Sequence, residues 1–384
     1  MSGFVFETVP RIICEQGGIT RLGELAADLG AKRLFIVTDA GLVKAGLLDK
    51  ALESLKSAGQ DATVYAEVLA DPPEERVEAA VQAALEAKAD GVVGLGGGSS
   101  MDTAKLVALL ACTQQALPSV YGIGLAKGPR LPLIQVPTTA GTGSEVTPIA
   151  IVTTPSNEKK GVVSPLLYPD LALLDSHLTL GLPPAVTAMT GVDAMVHAIE
   201  AYTSKIKKNV LSDALAVKAL QLLYANLPAA VEDGKDPAVR EAMLSGSLFA
   251  GMAFANAPVA AVHAFAYPLG GHFHLPHGLS NSLVLGPVLD FNLNAAQTEY
   301  AELGRAILPE HTTSNDKVAA RAFLDAIRAR VAAMPYAQNL REAGVQQESL
   351  PMLVKDVMQI ERLLVNNPRE VTEEDAHAIY QAAF

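Results

Sequence analysis

The sequence predicts an α/β domain built on a parallel sheet, followed by an all-helical domain, with 1–178 and 179–384 as the two parts. Three observations carry this. Short apolar runs rich in β-branched residues alternate with helical periods in the first half, which is the pattern of βαβ units. After about residue 180 the chain turns rich in Ala, Leu and Met, with few such runs. The length, 384 residues, also exceeds what one hydrophobic core usually serves.

Taken in order, 33–38 (RLFIVT) read as a buried strand, 41–58 as a helix and 62–68 as a strand. Residues 73–88 form an amphipathic helix with Pro near its start and acids in its first turn. Strand 91–95 (GVVGL), helix 100–111 and strand 131–136 (LPLIQV) follow, then short β-runs at 147–153 and 171–174. Pro183-Pro184 fits the opening of a helix. Helical periods then recur near 190–203, 210–224, 236–254, 316–332 and 372–383, with Thr372-x-x-Asp375 resembling a capping box.

Composition narrows the function. The net charge is −12 and no Lys/Arg block stands out, which argues against nucleic-acid binding. Two cysteines, Cys14 and Cys112, read as reduced thiols of a cytoplasmic protein, and the first residues show no signal-peptide pattern. Ala242 to Leu289 holds no Asp, Glu, Lys or Arg, but prolines and glycines interrupt it and four of the eight histidines lie inside it. It reads as a buried wall rather than a membrane span.

Two loops point to a phosphate-bearing ligand. In GVVGLGGGSSMDTAK a strand runs into Gly96-Gly97-Gly98, then Ser99, then a helix whose free amides suit a pyrophosphate. Ser99 is expected to cap that helix with Asp102 as its capping-box partner. The bland alternative is a flexible glycine turn. In VPTTAGTGSE, again after a strand, Thr138, Thr139, Thr142 and Ser144 offer hydroxyls; the alternative is a polar surface loop. Together the loops lie where open α/β sheets bind ligands. Asp39, ending a strand, is either an ordinary turn aspartate or an acceptor for the adenosine ribose, which would favour NAD over NADP.

A metal site is the second theme. Asp193 and His197 are spaced i, i+4 and share a helix face. The alternatives are a Thr190-x-x-Asp193 capping box and a satisfied core histidine. The uncharged stretch adds His263, His272, His274 and His277. One Asp with two or three His suits Fe²⁺ or Zn²⁺, and such an ion acidifies a bound alcohol for hydride loss to NAD⁺.

These residues resemble the iron-containing (group III) alcohol dehydrogenases along essentially the whole chain. The family's GGGSxxDxAK loop appears at Gly96 to Lys105, with Asp102 inside it, and its PTTxGTGSE loop at Pro137 to Glu145. The resemblance implies a Rossmann-like N-terminal domain and a helical C-terminal one, the dehydroquinate synthase-like / iron alcohol dehydrogenase fold. It implies Asp193, His197, His263 and His277 as iron ligands, with zinc an alternative occupant, and NAD contacts from Thr138, Thr139, Thr142 and Lys160. It further implies a small alcohol or aldehyde substrate and a homodimer or larger assembly, with diols and hydroxy acids as substrate alternatives. One position departs from the pattern: many members carry a histidine four residues after His263, where Tyr267 stands here. Tyr267, His272 or His274 could then serve as the proton relay. Two other classes are weighed. A dehydroquinate synthase-like lyase would need a basic cluster that the uncharged stretch lacks, and a non-catalytic scaffold would be expected to have lost a ligand.

Overall fold

The computed structural model describes residues 3–156 and 158–384. The chain divides into two compact units, Thr8–Gly181, and Leu182–Phe384 together with the segment ending at Glu7. The division thus falls just past the expected residue 178, after a short 3-10 turn over Ser176–Thr179 that the buried Asp175 carboxylate caps. The first residues leave the expected N-terminal domain for a physical reason. The Asn256 side chain accepts from the Glu7 N–H at 2.8 Å and donates to the Glu7 carbonyl at 2.9 Å.

Among its described residues the first unit carries nine strands: β1 (Ile12–Cys14), β2 (Arg33–Val37), β3 (Asp61–Tyr65), β4 (Gly91–Gly96), β5 (Gly122–Ile123), β6 (Leu133–Pro137), β7 (Ile149–Thr153), β8 (Lys159–Val163) and β9 (Leu171–Leu174). Six form one sheet in the order β1-β9-β6-β4-β2-β3, and every pairing in it is parallel. Both faces are buried. Leu34 and Ile36 of β2 pack with helices Leu22–Asp28 and Asp49–Ser57, while Phe35 and Val37 pack with helices Glu74–Glu86 and Gly98–Thr113. That double burial is why RLFIV reads as an unbroken apolar run. Successive strands are added on one side of β2 as far as β3 and on the other side from β4 onward, so the carboxyl ends of β2 and β4 flank the crevice where such sheets bind ligands. Asp39 follows one and Gly97 the other.

Two expectations change here. The helix expected over 41–58 is two, Ala40–Lys44 and Asp49–Ser57, because Gly46 between them adopts φ +69°, a left-handed conformation that ends a helix. The β-run at 147–153 joins a separate three-stranded sheet, β5-β8-β7, in which β7 and β8 pair antiparallel. Its partner β8 (KKGVV) opens with two lysines and lacks a clean apolar signal.

The second unit is helical throughout its described elements. Helix Pro184–Thr203 does begin at the double proline, and Thr372 and Asp375 do cap the helix Glu373–Ala382 reciprocally. The uncharged stretch folds as the end of Pro237–Asn256, then Ala261–Phe273, then His277–Asn292, with a 104° bend between the first two. Among the described residues a single helix, Val210–Glu232, is by itself long and apolar enough to cross a membrane. Its buried residues Ala216, Ala219, Leu220, Leu223, Leu227 and Ala230 recur at helical spacing, as expected of a face packed on Pro184–Thr203 and Pro237–Asn256.

Candidate functional site

In the first unit, β4 leads through Gly97 into the helix Gly98–Thr113. Gly97 is the N-cap and no side chain caps this end. The expected Ser99–Asp102 capping box is therefore absent. The helix starts earlier than expected, placing Ser99 inside its first turn and leaving the first amides free for an anion. A Cβ on Gly98 would stand 2.7 Å from the Thr142 methyl, and one on Gly97 would stand 3.6 Å from the Thr139 side chain. The two loops predicted from sequence lie against each other, and the Thr138 N–H donates to the Gly96 carbonyl at 3.0 Å.

Beneath them lies a buried polar knot. The Lys105 ammonium, fully buried, donates to Ser144 Oγ at 2.8 Å, Thr147 Oγ1 at 3.2 Å and the Ile149 carbonyl at 2.7 Å. Asp102 accepts from Ser144 Oγ at 2.6 Å through one oxygen and from the Ile151 N–H at 2.9 Å through the other. Both carboxylate oxygens are thus engaged by the protein, and Asp102 ties the helix to the second loop. Burial holds the Lys105 ammonium below its usual range, partly offset by Asp102 and Glu145. Burial raises Asp102, against the pull of Lys105, and pushes the Glu145 carboxyl up to about 7. Asp39 caps its short helix, with Oδ1 accepting from the Gly41 and Leu42 amides. Lys160, on β8, pairs with Glu158 at 2.7 Å and is half exposed.

In the second unit, Asp193, His197, His263 and His277 come together, each offering one ligand atom, all within 4.8 Å of one another. Asp193 and His197 share a turn of Pro184–Thr203, His263 lies near the start of Ala261–Phe273, and His277 opens His277–Asn292. Thr190 lies mid-helix and returns its hydroxyl to the Val186 carbonyl, so it caps nothing. Asp193 is 2% exposed and His263 3%. Burial alone would raise the Asp193 carboxyl, but His197, His277, His263 and the Asn281 amide outweigh it and hold it low. A buried carboxylate facing three imidazoles is a donor set that fits a divalent first-row ion.

Two residues beside this group, Glu200 and Asn281, escaped the sequence reading. Glu200 Oε2 lies 2.6 Å from His263 Nδ1, and its Oε1 accepts the Val262 N–H at 2.6 Å. With Nδ1 donating to Glu200, His263 presents Nε2 as its lone pair. Asn281 Nδ2 donates to Asp193 at 2.6 Å, while its Oδ1 is buried without a partner. Phe254 stacks on His197 at 4.3 Å. The available signal was spacing: Glu200 is one turn past His197, and Asn281 one turn past His277. Of the three relay candidates, Tyr267 lies 6.1 Å from His277, ring to ring. His272 instead pairs with Asp356 at 2.5 Å on the surface, and His274 is the exposed C-cap of its helix.

Residues 10–176 match the family described as iron-containing alcohol dehydrogenase, and residues 187–384 match the C-terminal part of the Fe-containing alcohol dehydrogenase family. The chain is 39% identical over 371 residues to long-chain-alcohol dehydrogenase 1 of Geobacillus thermodenitrificans, covering 96% of this chain and 93% of that one. Its fold is similar to a crystal structure of 1,3-propanediol oxidoreductase, with TM-score 0.96, 34% identity and 100% of both chains covered. It is also similar to sulfoacetaldehyde reductase from Bifidobacterium kashiwanohense in complex with NAD⁺, with TM-score 0.88, 28% identity and coverage of 100% and 99%.

Proposed function

The chain belongs to the iron-containing alcohol dehydrogenase family, and on that premise we propose that it interconverts a small alcohol and its aldehyde or ketone with Asp193, His197, His263 and His277 as ligands of Fe²⁺, or of Zn²⁺ in its place. It is an NAD-dependent oxidoreductase. The observation that carries the ligand assignment is the convergence of four acceptor atoms from three helices within 4.8 Å. When bound, the metal polarises the substrate oxygen and NAD takes up the hydride.

The chain's own residues supply the rest. The uncapped amides at Gly97, Gly98 and Ser99 are suited to a pyrophosphate, and Thr138, Thr139 and Thr142 stand beside them. Asp39 keeps Oδ2 for a ribose hydroxyl while Oδ1 caps its helix. Glu200 orients His263, and Phe254 covers one face of His197 against water. Tyr267, beside His277, is the relay candidate that geometry favours over His272 and His274. We further propose a cytoplasmic homodimer or larger assembly acting on small molecules rather than nucleic acid or membrane. The two exposed cysteines, neither of them in a disulfide among the described residues, and the net charge of −12 support that reading.

His263→Ala tests the metal assignment. Turnover is expected to vanish while NAD binding, measured by fluorescence titration, persists. Retained turnover would remove His263 from the site.

A further inference from the structure

The amide of Asn281 reaches further into the ligand group than a support for Asp193 requires. Asn281 lies one turn past His277 on the helix His277–Asn292 and is fully buried. Its Nδ2 donates to Asp193 Oδ1 at 2.6 Å and also stands 3.2 Å from His277 Nε2 and 3.4 Å from His263 Nε2. Those two imidazole nitrogens are themselves 3.6 and 3.9 Å from the same carboxylate oxygen. One end of the amide thus shares the space on which three of the four candidate ligands converge. The other end, Oδ1, is buried with no hydrogen-bond partner among the described residues. A buried carbonyl oxygen without a donor is costly and calls for a reason. The two ends carry opposite partial charges, and a half-turn about the last side-chain bond exchanges them. An N–H facing Asp193 suits a carboxylate, and an oxygen in that place suits a cation.

Resting on the metal reading above, we propose that Asn281 Oδ1 is a fifth donor to the ion, an oxygen one, and that it selects Fe²⁺ over Zn²⁺. Raw affinity does not make that choice. At nitrogen and oxygen sites zinc binds more tightly than ferrous iron, so discrimination rests on geometry and ligand type. One carboxylate and three imidazoles already complete the tetrahedron that zinc prefers. Ferrous iron takes more ligands and accepts oxygen donors beside imidazole. A fifth donor from the protein therefore strengthens an iron complex and adds little to a zinc one. The half-turn that brings Oδ1 inward also releases Asp193 Oδ1 from the amide, and gives the orphaned oxygen its partner.

The test measures metal affinity by competition with a chelator, using metal-depleted wild type, Asn281→Leu and Asn281→Asp, with Fe²⁺ under anaerobic conditions and with Zn²⁺. Leucine keeps the volume and removes both polar ends, whereas aspartate keeps an oxygen and removes the N–H. Asn281→Leu is expected to lose about 10- to 100-fold in Fe²⁺ affinity and to hold Zn²⁺ as the wild type does. Asn281→Asp is expected to bind Fe²⁺ at least as tightly as the wild type. Co²⁺ gives a second readout, because its visible absorption weakens as ligands are added. Wild type and Asn281→Asp should give the weaker spectrum, and Asn281→Leu the stronger. An unchanged Fe²⁺ affinity in Asn281→Leu, or equal loss of both metals, overturns the inference. Loss of Fe²⁺ in Asn281→Asp does so too, and leaves Asn281 as an N–H donor to Asp193. One Co²⁺ spectrum shared by wild type and Asn281→Leu has the same force. Should Asn281→Leu not fold, as circular dichroism would show, Asn281→Asp and the wild-type Co²⁺ spectrum decide. A wild type that holds neither Fe²⁺ nor Zn²⁺ would sink the four-residue site itself, and this inference with it.

Discussion

Glu200 is a residue whose role depends on a partner 63 positions away in sequence. Locally it is marked only by lying one turn past His197, whereas Asp193 and His197 are a donor pair sharing a helix face. That difference sets what was legible: a candidate ligand pair on one helix could be read from spacing, and the pairing of Glu200 with His263 could not. Glu200→Gln is expected to weaken metal binding about 10- to 100-fold, as measured by competition with a chelator, without unfolding the protein. An unchanged metal affinity would show that His263 holds its orientation without this carboxylate. Glu145 gives a pH prediction. Its folded value near 7 lies above the ordinary carboxylate range, so the fold prefers the protonated form. The stability this contributes is complete below about pH 4.5 and is lost as pH climbs through 7, amounting to about 3 kcal/mol. Glu145→Gln cannot ionise, so its melting temperature should gain on the wild type between pH 5 and pH 8. A constant difference across that range would mean that the carboxyl is already ionised in the fold.

Among elements, the strands of the parallel sheet were the most legible, because burial on both faces writes an unbroken apolar run. Helix ends were less so. Ser99 looked like a cap, but the helix opens at Gly98 and leaves its amides free, a choice fixed by the neighbouring Thr142 loop. The strand β8 went unread because its lysines carry no apolar pattern until it pairs with β7. A second glycine has a comparable place in the helical unit. A Cβ on Gly278 would meet the Met189 carbonyl oxygen at 2.3 Å, so the His277–Asn292 helix approaches Pro184–Thr203 to backbone contact. That approach delivers His277 to Asp193, 3.6 Å away. Gly278→Ala should therefore force the helices apart, costing about 1–3 kcal/mol and lowering metal affinity more than tenfold. Denaturant melts and metal titration would separate the two effects. A variant that loses stability but binds metal normally would show that His277 is placed by something other than this crossing.

At the scale of the whole molecule, the change in sequence character near residue 180 marked two units, and the structure divides after Gly181. What composition could not show is that the first residues join the helical unit through Asn256. Metal removal should act on stability as well as activity. At a hundredfold excess over its dissociation constant, Fe²⁺ should stabilise the chelated protein by about 2.7 kcal/mol, read as a rise in melting temperature. A melt indifferent to Fe²⁺ would argue against the four-residue site. The N-terminal segment also carries a consequence for synthesis. Among the described residues, strand β1 pairs in the sheet with β9 alone, and Glu7 has a partner 249 residues later. At 5–20 residues per second, a ribosome needs roughly 12–50 s to deliver Asn256 after Glu7. The partners of this segment are thus made well after it. Until Leu174 has followed, its Ile12-Ile13 edge must wait beside the nascent sheet, open to any chaperone, or any neighbouring chain, that reaches it first.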